Sequence, residues 1–174
     1  PLLSGEIITA VSCFGLDDGK IVLNPTSPAA GFGTVLWDTT TSIPGSSTAL
    51  SQSPLQPGTY TVTITATDGC TITNDIIVEE PEAITASILF TPPSCNGLSD
   101  GNATITAEGG TGAMNIAWSP SGGNNAITSP IAAGIYTATV ADVNGCGGSF
   151  SVIVTEPEAV IASLEPNIFY NENE

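Results

Sequence analysis

The chain reads as one pattern written twice. Ser12-Cys13-Phe14-Gly15-Leu16-Asp17-Asp18-Gly19 returns as Ser94-Cys95-Asn96-Gly97-Leu98-Ser99-Asp100-Gly101. Leu36-Trp37-Asp38 returns as Ala117-Trp118-Ser119, and Pro57-Gly58-Thr59-Tyr60-Thr61 as Ala133-Gly134-Ile135-Tyr136-Thr137. Asp68-Gly69-Cys70 returns as Asn144-Gly145-Cys146, and Glu80-Pro81-Glu82-Ala83 as Glu156-Pro157-Glu158-Ala159. The period, about 80 residues, is too long for a solenoid coil and is the size of a small β-sandwich domain. Matched residues lie closer together after the tryptophans, so a loop of variable length falls in the middle of each unit. The expected division is a first repeat over 1–81 and a second over 82–157. Residues 158–174 are then the first strand of an incomplete third repeat, or a tail.

Within each unit the strand signals agree with that size. Tyr60 to Thr67 alternates, with Tyr60, Val62, Ile64 and Ala66 facing inward and the threonines facing water. Tyr136, Ala138 and Val140 repeat the inward pattern. A turn holding Gly69 or Gly145 then leads into Thr71–Val78 or Ser149–Thr155, which makes a long hairpin. Ile7–Val11 and Ile84–Phe90 read as opening strands. Lys20–Asn24 and Asn102–Ala107 follow an Asp-Gly turn. Trp37 and Trp118, with Tyr60 and Tyr136, are the expected aromatic core of two tandem Ig-like antiparallel β-sandwiches, an all-β fold.

Composition narrows the function. Seventeen acidic residues stand against one basic residue, Lys20, for a formal net charge of −16. Such a surface repels nucleic acid and anionic lipid, because phosphate binding needs Lys and Arg to displace counterions. Hydrophobic residues at 41% with patterned runs argue for a folded chain rather than an acidic disordered one. Too few Lys, Glu and Arg are present to clothe helices. No apolar run approaches the roughly 20 residues of a membrane helix, so no membrane insertion is expected. The chain opens at Pro1, without Met or a signal peptide, and reads as a mature or trimmed fragment.

The absence of His excludes Ser–His and Cys–His nucleophiles and His-ligated metals, so no enzyme is expected. Asp17 and Asp18 form the best carboxylate pair, but Asp and Gly populate turns for conformational reasons alone. Four cysteines, two per unit, suggest disulfides and an oxidising compartment; buried free thiols are the alternative. The expected pairs are Cys13–Cys70 and Cys95–Cys146, which treat the two units alike. Calcium is the one cofactor the loops suggest. Asp17, Asp18 and Asp68 would be gathered by a Cys13–Cys70 bridge, with Asp100, Asp142 and Asn144 as their counterparts. Neither set completes a full oxygen-ligand loop.

At these motifs the chain resembles the SprB repeat of Bacteroidetes gliding and cell-surface adhesins. The second unit carries the pattern at Ser94–Gly101, Trp118, Gly134–Cys146 and Val154–Pro157. The first carries it with a shortened turn, Thr67-Asp68-Gly69-Cys70. The resemblance implies a secreted or cell-surface protein of many tandem Ig-like units. It also implies export by the type IX secretion system and roles in attachment and gliding motility.

The expected function is therefore a structural segment of an extracellular, outer-membrane-associated adhesin, stalk or filament, with neighbouring repeats of the same chain as its partners. One alternative is a carbohydrate- or protein-binding module, with surface polysaccharide stacking on Trp37 or Trp118. Another is a self-assembling fibre subunit, in which the strand after Glu158, ending Ile168-Phe169-Tyr170, docks into a neighbouring copy. Glu79-Glu80-Pro81-Glu82 is expected to be a short, stiff joint, because Pro81 fixes its own φ and biases its neighbour toward extended backbone.

Overall fold

The computed structural model describes residues 2–3, 5–26, 32–38 and 48–163. Among these every regular element is a strand and every pairing is antiparallel. In the first half, β2 (Ile7–Thr9), β3 (Gly19–Val22) and β6 (Ser51–Leu55) form one sheet in the order β2-β3-β6. A second sheet has the order β5-β7-β8, from Phe32–Trp37, Gly58–Ala66 and Thr71–Val78. Two short strands, β1 (Leu2–Leu3) and β4 (Pro25–Thr26), pair beside them. The second half repeats the plan. β9 (Thr85–Thr91), β10 (Gly101–Glu108) and β12 (Ile127–Ile131) form one sheet, and β11 (Asn115–Ser119), β13 (Gly134–Ala141) and β14 (Gly147–Val154) the other. No helix of the described residues is long and apolar enough to cross a membrane.

Each pair of sheets encloses its own core. In the first, Ile21, Leu23 and Leu55 meet Val35, Trp37, Tyr60, Val62, Ile64, Ile76 and Val78. In the second, Ala103, Ile105 and Ile131 meet Trp118, Tyr136, Ala138, Val140 and Val154. Trp37 is 1% exposed and Trp118 5%. Their indole N–H groups donate to the carbonyls of Ala49 at 2.9 Å and Asn125 at 3.0 Å. Both rings are therefore spent inside the protein, and the sugar-stacking alternative loses its platform. Tyr60 is buried, and its hydroxyl donates to Gln56 O at 2.8 Å. Burial raises its pKa.

The strands β6 and β12 have no counterpart in the sequence reading. Each carries a proline, Pro54 or Pro130, and each lies at the edge of its sheet, where a missing N–H costs no ladder bond. The proline and the weak alternation hid them. At the other end of the chain, residues 158–163 join no strand, with Val160 and Ile161 fully or nearly fully exposed. The expected opening strand of a third repeat is thus not formed there. Leu164 onward, including Ile168-Phe169-Tyr170, lies outside the described residues.

Candidate functional site

The chemistry of this chain concentrates where the two halves meet. Four local devices are involved, each following from a motif in the sequence, and one copy of each lies at that joint. The first is the loop Ser12–Asp18. Asp18 accepts from Ser12 N at 2.8 Å and, closer still, from the Ser12 hydroxyl. Asp100 accepts from Ser94 N at 2.9 Å and Ser94 Oγ at 2.6 Å in the same way. The serine hydroxyl and backbone donations hold both carboxyls below their usual pKa. Gly19 ends the loop because a Cβ there would lie 2.7 Å from Val78 Cγ1 and 2.9 Å from Leu55 O.

A carboxylate clasp is the second device. Gly15 donates its N–H to Glu80 Oε2 at 3.0 Å, and Gly97 donates to Glu156 Oε2 at 2.7 Å. Asn96 Nδ2 adds a bond to Glu156 Oε1 at 2.9 Å. Each Glu-Pro thus ties down the cysteine loop of its own half. Val11 N also donates to Glu79 O at 2.9 Å, so this loop sits at the end of β8 where Val78 lies.

The third device is the hairpin turn at the opposite end of each half. Ala66 N donates to Cys70 O and Gly69 N to Ala66 O; Asp142 N donates to Cys146 O and Gly145 N to Asp142 O. The two turns have the same length, so the expected shortening in the first unit is corrected: Ala66 simply stands where the second half has Asp142. Asp142 is 3% exposed and accepts from Thr111 N at 2.8 Å and from Asn144 N and Cys146 N at 2.9 Å. Burial opposes its ionisation. The N–H donors of Thr111, Cys146, Asn144 and Gly145 outweigh that and hold its carboxyl below the usual range.

Fourth comes the closure between halves. Asn144 Nδ2, in the second half, donates to Ser12 O of the first at 3.2 Å, while Gly110 N holds Glu82 O, at the start of its own half, at 2.8 Å. Gly109 adopts φ +88°, and a Cβ on it would come within 2.2 Å of Ala83 O. A disulfide then joins Cys13 of the first half to Cys146 of the second, with a Cα–Cα distance of 5.6 Å. Beside it runs a groove of about 380 Å³ lined by Phe14, Leu16, Pro81, Ile84 and Gly110.

This bond overturns the expected Cys13–Cys70 and Cys95–Cys146 pairs, and with them the expectation of one disulfide within each unit. The reason is the length of the hairpin. Cys13 lies at the Val78 end of β8, and Cys70 immediately precedes Thr71 at the other end. Eight residues of extended chain separate those ends by about 23 Å, whereas a disulfide needs Cα atoms within about 7 Å. Cys95 and Cys146 are held apart by β14 in the same way. Cys70 and Cys95 are free and exposed.

The expected calcium set is dispersed for the same reason. Asp17 accepts from Gln56 Nε2 at 3.2 Å and lies beside Asp18 in the cysteine loop, while Asp68 caps Cys70 N at 3.0 Å at the far end of the half. Asp100 likewise sits at the opposite end from Asp142 and Asn144. Among the described residues no group of three or more Cys, Asp or Glu side chains is placed to hold a metal ion.

Comparison with known proteins meets this geometry at the second cysteine loop. Residues 88–123 match the family model described as SprB repeat. The SprB repeat match takes in most of β9, the whole Ser94–Gly101 loop with Cys95, and Trp118. No curated protein matches the chain. Among solved structures, a C-terminal 282-residue fragment of intimin, in complex with the translocated intimin receptor (Tir) intimin-binding domain, is similar at a TM-score of 0.49 and 14% identity. The alignment covers 88% of this chain and 64% of that one, so this chain spans less than two thirds of the intimin fragment.

Proposed function

We propose that the chain is a load-bearing segment of a cell-surface adhesin-type protein, built from two tandem Ig-like repeats and working as a stalk rather than a catalyst. One observation carries this reading: the joint between the halves is closed by a disulfide, Cys13–Cys146, and by the Asn144 bond to Ser12 O, while Val11 N and Gly110 N anchor the two ends of the linker at Glu79 O and Glu82 O, each within its own half. A joint with a covalent bridge beside the through-chain peptide resists bending and splaying. A hinge that opened around a ligand would be defeated by it. The SprB repeat match supports an extracellular setting, where such a bond persists. The one-sided net charge of −16 and neutral hydroxyl-rich sheets suit a solvated spacer with little affinity for polyanions.

Small-angle scattering decides the matter on the oxidised chain and on its Cys13→Ser variant. The stalk reading expects one elongated particle with a fixed distance between halves, and a broader distance distribution once Cys13 is removed. Identical, freely jointed profiles for both would overturn it.

A further inference from the structure

The two free cysteines are not equivalent to each other; they are the two different halves of the bond already formed. Cys95 occupies in the second half the place of Cys13 in the first. Its loop is closed by Ser94 and Asp100 as Cys13's is by Ser12 and Asp18, and clasped by Glu156 as Cys13's is by Glu80. Cys70 occupies in the first half the place of Cys146. Each cysteine carbonyl receives the N–H of the residue four positions earlier, Ala66 or Asp142, across a turn of equal length. Cys13 bonds Cys146. Cys95 and Cys70 are exposed thiols at the two far ends, each a strand length of about 23 Å from the end of its half that carries the central bond.

We propose that Cys95 and Cys70 are the outgoing and incoming halves of a head-to-tail disulfide ladder, in which the first cysteine of each repeat bonds the second cysteine of the repeat that follows. The partner of Cys95 is thus the Cys70 of another unit of this kind, supplied in solution by a second copy of this chain. The proposal rests on the tandem-repeat reading above. It deepens that reading by naming the partner and the register. Around Cys95 the receiving surface is already formed. Leu98 is exposed as its counterpart Leu16 is beside the central groove, and Asn96 Nδ2 reaches Pro157 O at 3.2 Å, which fixes the loop against the outgoing chain. Bond formation consumes two thiols and one small-molecule disulfide. A thiolate displaces one thiol from that disulfide, the second cysteine displaces the other, and two small thiols leave carrying the two protons and two electrons. Cys70 and Cys95 of one chain do not bond each other, each standing a strand length from the joint on its own half.

Mixing single variants in a glutathione redox buffer tests this directly. Cys70→Ser retains only the outgoing thiol and Cys95→Ser only the incoming one. Peptide mapping that finds Cys13–Cys146 intact in both shows that both fold. The ladder expects each variant alone to stay monomeric on a non-reducing gel, and the equimolar mixture to give a heterodimer linked Cys95 to Cys70. The unmodified chain should build a series of longer oligomers that collapses on reduction. Homodimers of either variant forming as readily as the heterodimer would overturn the proposal, as would Cys13–Cys70 and Cys95–Cys146 bonds in the unmodified chain. The stalk reading is judged separately, by scattering from the Cys70→Ser, Cys95→Ser double variant, which has no ladder to form.

Discussion

Asp142 shows how a single residue can matter without chemistry. Three backbone N–H groups converge on its buried carboxylate, so removing it strands all three. Asp68, at the matching turn of the first half, caps Cys70 N and stays exposed. Thermal denaturation should therefore show a larger fall in Tm for Asp142→Ala than for Asp68→Ala; equal falls would mean that the two bonds Asp142 accepts beyond one contribute nothing. The pH dependence follows in sign. Asp18, Asp100 and Asp142 all have pKa values lowered from 3.8, so their stabilisation is full above the unfolded carboxylate value. It is lost as pH falls through their lower folded values. The acid limb of the stability curve should thus lie below pH 4, and Asp142→Asn should flatten part of it. Gly109 makes a different kind of demand. With φ at +88° and no room for a Cβ beside Ala83 O, Gly109→Ala should cost about 2 kcal/mol or more in a urea titration, through left-handed strain and displacement of the joint.

At the scale of elements, the hairpins carry the stability and the threonines decorate it. Along β7 and β8, Thr61 Oγ1 bonds Asp75 Oδ1 at 2.6 Å and Thr63 bonds Thr73 at 3.0 Å. Thr137 and Ser151 pair at 2.8 Å on β13 and β14. These hydroxyls lie in exposed or half-exposed rows, whereas Val62 and Ile64 are wholly buried. Thr63→Val should then change stability by less than about 0.5 kcal/mol, and Ile64→Ala should cost roughly 2–5 kcal/mol, both read by chemical denaturation. The reverse ranking would place the wrong face inward. This alternation is why β7 and β13 were legible from sequence: a period of two with large apolar residues on one side has one reading. The strands β6 and β12 were not, because Ser51–Leu55 and Ile127–Ile131 pair along an edge, contribute few buried side chains and contain proline. The register of the disulfide is illegible in the sequence for a related reason. Sequence reveals that Cys13 and Cys70 share a unit, but only the direction of β8 reveals that they sit at its opposite ends. A repeat that hands its bond to the next repeat looks, in one dimension, the same as a repeat that keeps it.

For the molecule as a whole, the Cys13–Cys146 bond encloses a sequence separation of 133 residues, which takes in most of both cores. In the chain-entropy account a loop of that length stabilises the folded state by about 5 kcal/mol, mainly by restricting the unfolded chain. Each half has its own core, so each has the means to unfold by itself once that restriction is lifted. While the bond is intact, the Asn144–Ser12 contact across the joint is held at high effective concentration, and opening one half loosens the attachment of the other. Two consequences are separable by experiment. In the oxidised chain, urea unfolding followed by fluorescence, in which Trp37 and Trp118 report on separate halves, should give coincident transitions when each Trp is replaced in turn by Phe. In the Cys13→Ser background the two midpoints should fall and move apart, with the half that reports through the single remaining Trp unfolding on its own curve. If the midpoints fall but stay together, the non-covalent joint alone couples the halves and the bond acts only on the unfolded state. If they are already apart in the oxidised chain, the joint transmits no stability, and the bridge only keeps the two halves attached after one has opened.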